Sequence, residues 1–171
     1  DGADVAPVGL VVGVAADAGL GEAVGEHAVA RHDVRDDVLA EVASRPLGQG
    51  IALELMIDLA NRCGVGPWLC MPHRADDDFL RRAASLASEK LDERLPLWVE
   101  HSNEVWNPDF EQSAYASQQG MAAGLAPDAN TARWRWHAKR SRDIFAIWSQ
   151  PFAGQVAGAP RLKRVLGTQT G

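Results

Sequence analysis

Beyond residue 50, apolar residues recur along the chain at the spacing of amphipathic helices. The first stripe consists of Ile51, Leu55, Met56, Leu59, Ala60 and Cys63. It ends at Gly64, and glycine readily takes the left-handed conformation that closes many helices. The same spacing predicts further helices over residues 76–91, 114–123 and about 131–150. Asp76 is placed to cap the second helix, and Pro151 to end the last.

Short apolar runs lie between these helices and predict strands. They cover residues 67–71, 97–101 and 162–166. Continuous apolar runs suit strands that are buried on both faces, as in parallel sheets, and each helical connection is long enough to cross over and return parallel. The sequence therefore predicts an α/β protein. The pattern alone fits both a barrel and an open sheet.

The first 47 residues differ from the rest in composition. Residues 1–50 contain no Phe, Trp or Tyr and are built mainly from Ala, Val, Gly, Asp, Glu, Arg and His. A strand over residues 8–16 and a helix over residues 34–43 fit the pattern, although both lack the large side chains that anchor most cores. Three interpretations stand side by side: a small β-α unit, a flexible lead-in, or the product of a frameshift upstream of about Pro46. Residues 48–171 are taken as the folded domain.

Length and charge limit the classes of function. The 171 residues fall short of the roughly 250 of a complete (β/α)8 barrel, and the chain begins without Met and ends just after a predicted strand, so we expect a fragment. A net charge of −6 and a pI near 5.3 argue against a nucleic-acid partner. No apolar run approaches the ~18 residues of a membrane span, so no membrane partner is predicted. The sequence leaves localisation and oligomeric state open.

Polar residues follow two of the predicted strands. Asn103 and Glu104 stand at the exit of strand 97–101, and His73 follows strand 67–71. An acid beside an amide at the end of a strand is a frequent setting for sugar chemistry. Alternation places four residues on one side for as long as the chain stays extended, namely Trp98, Glu100, Ser102 and Glu104.

Neither a metal nor another cofactor is predicted. His73 and the run Asp76 to Asp78 could be taken for a metal site, but consecutive aspartates before an amphipathic helix are far more often caps and solvated charge. Cys63 and Cys70 lack the paired spacing of zinc ligands and are interpreted as small buried residues, with a disulfide between them as the weaker alternative. Arg and Trp residues interleaved in the last helix resemble an RNA-binding surface, but the apolar spacing explains the Trp residues as packing, and the overall acidity opposes an RNA partner.

The two strand ends carry a family resemblance. Residues 59–78 read LANRCGVGPWLCMPHRADDD and residues 99–107 read VEHSNEVWN. These strings resemble little-characterised bacterial proteins, often secreted, that contain LANxxGxxPWxxMPHxADDD and VEYSNEVWN. They also resemble the clan of retaining glycoside hydrolases with a TIM-barrel fold, in which the fourth strand ends in Asn-Glu. His101 stands where the related string has Tyr.

The resemblance implies a partial (β/α)8 TIM barrel that runs from about helix 2 to strand 5. Glu104 would be the catalytic acid/base of a retaining mechanism, and Asn103 would hold the 2-hydroxyl of the carbohydrate substrate. His73 would hold a substrate hydroxyl or the nucleophile at the mouth of the barrel, although a lone His after a Pro is more often only a hydrogen-bonded loop residue. Trp106 would stack on a sugar face, while Trp68 is expected in the core. The nucleophile, a Glu at the end of strand seven, would lie outside this chain.

The implied function is hydrolysis of glycosidic bonds in a polysaccharide or glycoside by the complete protein, in an extracellular setting. One alternative is a non-catalytic carbohydrate-binding or scaffold domain derived from the same barrel. Another is an α/β domain with no glycan role. An acidic residue at the end of a seventh strand would favour the enzyme.

Overall fold

A computed structural model describes residues 51–153 and 161–169 of the chain. The strand and helix predicted for residues 8–16 and 34–43, and with them the whole of residues 1–47, lie outside the described residues. The described part contains helices and strands that alternate as the sequence predicts. In chain order they are α1 (Leu53–Cys63), β1 (Trp68–Met71), α2 (Asp77–Lys90), β2 (Leu97–His101), α3 (Glu111–Ala122), α4 (Ala129–Ser149) and β3 (Leu162–Val165).

Helices α1 and α2 have the predicted end signals. Gly64 closes α1 in the left-handed conformation, with a φ of 64°. Helix α2 begins after Asp76, whose carboxylate accepts a hydrogen bond of 2.7 Å from the backbone N–H of Phe79. Asp77 and Asp78 add negative charge to the first turn, where the helix dipole favours it. Both helices are therefore confirmed, each by a cap that the sequence predicted.

The strands form one parallel sheet in the order β1, β2, β3. Cys70 of β1 is paired with Glu100 of β2, and Glu100 is paired on its other side with Val165 of β3. Helix α2 connects β1 to β2, and helices α3 and α4 connect β2 to β3. The prediction of a parallel α/β arrangement is confirmed for these strands. The barrel stays a prediction.

One face of the sheet packs against helices and forms an apolar core with them. The other face does not contribute to that core. Helices α1, α2 and α4 join alternate strand residues in a single apolar core, which includes Ile57, Leu69, Met71, Leu80, Leu97, Val99, Ile144 and Trp148. Because strand side chains alternate between faces, Trp68, Cys70, Trp98 and Glu100 lie on the opposite face. The expectation that Trp68 belongs to the core does not hold for this helix-facing core: Trp68 is half-buried on the opposite face and its indole N–H donates to Glu100.

Helices α3 and α4 begin earlier than the apolar spacing indicates. Helix α3 starts at Glu111 rather than at 114, and α4 starts at Ala129 rather than at 131. The reason for the second difference is a cap, since the Asp128 carboxylate accepts a hydrogen bond of 2.9 Å from the Thr131 N–H. The two helices touch at Gly120, where a Cβ atom would lie 2.2 Å from the carbonyl oxygen of Ala132.

Polar side chains fasten the connection between α2 and β2. The Asn61 carboxamide donates to the carbonyl of Lys90 and accepts from the N–H of Asp92, both at 2.8 Å. Arg161, just before β3, donates to the carbonyls of Asp92 and Leu95 at 3.1 and 3.2 Å. These bonds satisfy backbone groups that the end of a helix leaves without partners. They also join the amino-terminal ends of β2 and β3.

The cysteines are both free, with Cys70 buried and Cys63 half-buried. The interpretation as a small buried residue is confirmed for Cys70 but not for Cys63. None of the described helices combines the length and apolarity needed to cross a bilayer.

We expect Gly64→Ala to lower the free energy of unfolding by about 1 kcal/mol, because a left-handed φ strains any residue with a Cβ atom. The cost is purely conformational, since the new Cβ would meet nothing within 4 Å. Gly120→Ala is the contrast. Helix propensity favours Ala there, yet its Cβ would clash with the Ala132 backbone, so we expect a larger loss. Chemical denaturation measures both, and an unchanged stability of Gly120→Ala would contradict the close approach of α3 and α4.

Candidate functional site

The carboxyl ends of the strands meet at one edge of the sheet, and this edge carries the predicted site residues. His73 lies just beyond β1, while Asn103 and Glu104 lie just beyond β2. The N–H of Ser102 donates to the carbonyl of Met71 at 2.8 Å, which keeps the two strand ends side by side. Ligand sites of parallel α/β proteins form at this edge. We name the segment Ser102 to Asn107 the exit loop.

Glu104 is held in an uncommon backbone conformation. The φ angle is 51° at Glu104 and 59° at Ser102, so both residues that flank Asn103 are left-handed. Such a conformation costs a non-glycine residue about 1–2 kcal/mol and persists only where surrounding contacts enforce it. Asn107 supplies two of these contacts, since its side-chain amide donates to the Glu104 carboxylate at 3.1 Å and its backbone N–H donates to the Glu104 carbonyl at 3.0 Å.

The left-handed Ser102 also ends the strand alternation. The sequence placed Ser102 and Glu104 on the side of Trp98 and Glu100 for as long as the chain stays extended. The extended conformation ends at His101. The direction of the Glu104 side chain is therefore set by the exit loop rather than by the strand, and it is half-buried there.

Asn103 and Trp106 are the other predicted substrate-binding residues of the exit loop, and both are half-buried. The backbone carbonyl of Asn103 accepts a hydrogen bond of 2.6 Å from the Gln112 side chain, which ties the loop to α3. Within the described residues the Asn103 carboxamide itself has no hydrogen-bond partner. Its polar atoms are thus available to a ligand. No hydrogen bond joins Trp106 to Asn103 or Glu104, and its role stays a prediction.

His73 is buried at the neighbouring strand end, with 8% of its surface exposed. Its ring packs edge-on against Tyr115 of α3, with ring centroids 5.0 Å apart. Burial lowers the pKa of His73 below its usual value, which Glu111 partly opposes, so the neutral imidazole is favoured. Nε2 has no hydrogen-bond partner among the described residues. A buried ring nitrogen without a partner is a candidate contact for a ligand hydroxyl.

Glu100 is a buried acid that the sequence did not single out as a site residue. Its carboxylate accepts a hydrogen bond of 2.9 Å from the indole of Trp68 and a longer one from the thiol of Cys70. Burial raises the pKa of Glu100, and these two donors oppose the rise. Burial also raises the pKa of Cys70 to about 12, so its thiol keeps its proton. Gly167 packs against the same carboxylate, where any Cβ atom would clash with it.

A pair of histidines lies on the helix-facing side of the same strand end. Nδ1 of His101 is 3.1 Å from Nδ1 of His137 in α4, and Nε2 of His137 is 3.1 Å from the carbonyl oxygen of Gly167. Both rings are buried. Burial lowers both pKa values, that of His101 to about 3. The pairing joins residues far apart in the sequence, so no local pattern could have indicated it.

The contacts of Glu100 could have been predicted from the sequence through the strand register, whereas the histidine pair could not. Trp68 and Cys70 alternate toward the side of Glu100, and the predicted pairing of two neighbouring parallel strands brings the three together. The contact between His101 and His137 depends instead on how α4 lies across β2. Among the described residues, no group of three or more His, Cys, Asp or Glu side chains is arranged to hold a metal ion.

Comparisons with known proteins add no relative: no family model, no curated protein and no solved structure matches the chain. The resemblance to glycoside hydrolases therefore stays a prediction from the two sequence strings. Support for a function of this chain comes from those strings and from the geometry of the strand ends.

The strain at Ser102 leads to a testable order of stabilities. Ser102→Gly and Ser102→Ala both remove the hydroxyl, but only Ala keeps a Cβ atom in the left-handed conformation. We expect the Gly variant to be more stable than the Ala variant by about 1 kcal/mol in chemical denaturation.

The exposed helical residue Ser85 provides the matched control. There Ala should be more stable than Gly by about 1 kcal/mol, the usual order in a helix. The same order at both positions would contradict the left-handed geometry of the exit loop.

Proposed function

We propose that this chain is part of a retaining glycoside hydrolase and that Glu104 is its acid/base. The observation that carries the proposal is the position of Asn103 and Glu104 at the carboxyl end of the central described strand, in a loop where Ser102 and Glu104 have left-handed φ angles. Functional sites are where such strain is most often retained. The strings that contain these residues resemble the same family.

The sheet supports a barrel as the setting. Its strands lie in chain order, and helices α1, α2 and α4 pack in one core on one face. Doubly wound sheets carry helices on both faces, whereas in a (β/α)8 barrel the helices form only the outer ring. In this setting the face with Trp68 and Glu100 would be the interior of the barrel. The edge with His73, Asn103 and Glu104 would be its mouth.

The proposed chemistry needs two carboxyl groups roughly 5–5.5 Å apart. Glu104 would protonate the leaving oxygen in the first step and activate water in the second. The resemblance assigns the nucleophile to a later strand, outside the described residues. Asn103, with its free carboxamide, would hold the 2-hydroxyl of the sugar, and the neutral His73 would contact another hydroxyl.

Glu104→Gln in the full-length protein tests this role. We expect turnover of alkyl glycosides to fall by about 100- to 10,000-fold, the usual contribution of general acid/base catalysis. Dinitrophenyl glycosides should still react in the first step, because a good leaving group needs little protonation. Stopped-flow measurement of dinitrophenol release should show a burst, since the second step lacks its base. Azide, which needs no general base, should speed that step.

Glu93→Gln is the matched control, because Glu93 is exposed in the connection between α2 and β2 at the opposite edge of the sheet. It should leave both substrates unaffected. An equal loss on alkyl and dinitrophenyl glycosides in Glu104→Gln would rule out the acid/base role. A wild-type protein that binds glycans but never cleaves them would favour the scaffold alternative.

A further inference from the structure

We propose that His101 and His137 form a neutral imidazole relay that positions the exit loop and couples it to the Gly167 segment after β3. His101 is the last residue of β2 and directly precedes the exit loop, and its ring lies between this strand and α4. His137 links it to the Gly167 carbonyl. The only consequence that rests on the proposed function is catalytic: the relay would make His101 a positioning residue for Glu104.

The hydrogen-bond partners fix the tautomer of each ring. The Gly167 carbonyl can only accept, so Nε2 of His137 carries a proton and donates to it. In a neutral His137 ring, Nδ1 is then bare and accepts. The facing Nδ1 of His101 must donate, which leaves Nε2 of His101 without a proton. This last nitrogen is buried and has no partner among the described residues.

The relay works only while both rings are neutral. A proton on Nδ1 of His137 would turn the acceptor into a donor that faces the donor of His101. A proton on Nε2 of His101 would place an N–H and a positive charge in the core with no acceptor. Neighbouring groups also disfavour protonation of His101: a proton on His137 of α4, the Arg140 guanidinium of the same helix, and a proton on His73 beyond β1 would each repel the new charge.

The relay reaches both faces of the sheet through Gly167. On the helix-facing side the Gly167 carbonyl accepts from His137, and on the other side a Cβ atom at position 167 would meet the Glu100 carboxylate. Glu100 and His101 are adjacent in β2. The segment after β3 is therefore close to Glu100 and is linked to His101 through His137. Loss of the His101–His137 hydrogen bond is expected to loosen this segment and the exit loop.

Stability conferred by the relay should decrease as the pH falls below 6.5. The folded state holds the pKa of His101 at about 3, whereas a solvent-exposed His titrates near 6.5. An opened state therefore binds more protons in this window, and opening becomes easier as the pH falls from 6.5. The pKa of Glu100 is raised in the folded state, so its contribution to stability decreases as the pH rises. This trend is opposite to that of His101, and a variant is needed to isolate the effect of His101.

Hydrogen exchange followed by NMR isolates the effect of His101 on stability. His101→Asn keeps a donor close to the position of Nδ1 but cannot titrate. The readouts are the amide N–H groups of Ser102 and Asn107 and the imidazole N–H of His137, the last reporting on the bond to Gly167. Between about pH 7.5 and pH 5.5, protection in the wild type should fall by about tenfold more than in His101→Asn, at all three sites.

Nitrogen-15 shifts of the histidine rings give a second, independent readout. At about pH 7.5 they should show a protonated Nδ1 in His101 and a protonated Nε2 in His137. His101→Leu, which leaves the His137 acceptor without a donor, should lower protection at all pH values, and His101→Asn should restore it.

The opposite tautomers, or the same pH dependence in wild type and His101→Asn, would overturn the proposal. A fall confined to the exit loop, with the His137 N–H unchanged, would overturn the coupling to Gly167. None of these readouts needs turnover, so a failure of the proposed glycosidase activity would leave them interpretable.

Discussion

The parallel pairing of β2 with strands on both sides is the constraint on which the rest of the described structure depends. Leu97 and Val99 of β2 are fully buried against helices, and Glu100 on its other face is bonded to Trp68 and Cys70 of β1. Both faces of this strand therefore make specific contacts. The candidate site residues lie where the strand pairing ends, because the exit loop follows β2 directly.

Several buried polar groups at this strand end have specific partners, whereas Nε2 of His73 and Nε2 of His101 have none among the described residues. Leaving such a group without a partner costs more than a hydrogen bond gains, so each contact restricts the position of its neighbours. Glu100 is bonded to two residues of β1, and a Cβ atom at position 167 would force its carboxylate to move, while His101 contacts α4 through His137. The exit loop is consequently anchored from two faces of one strand, and that anchoring supports the strained φ angles at Ser102 and Glu104.

Local signals predicted the elements well because each depends on neighbours in the sequence. The cap at Asp76, the left-handed Gly64 and the apolar runs of the strands act within a few residues, and the structure confirms them. The start of α4 was missed because the spacing was read from apolar residues while the Asp128 cap decides the boundary. Trp68 was assigned to the core because an apolar strand residue usually belongs there, yet alternation turns it to the other face.

By itself the sequence determined the helices, the strands, their parallel α/β arrangement and the position of Asn103, Glu104 and His73 at strand ends, because propensity, capping and alternation are local. Only the tertiary structure decided the left-handed turn that directs Glu104, the burial of Glu100 against Gly167, and the pairing of His101 with His137. These features depend on which surfaces meet when α4 and β3 fold back on β2. The spacing of residues along the chain does not predict these contacts between elements.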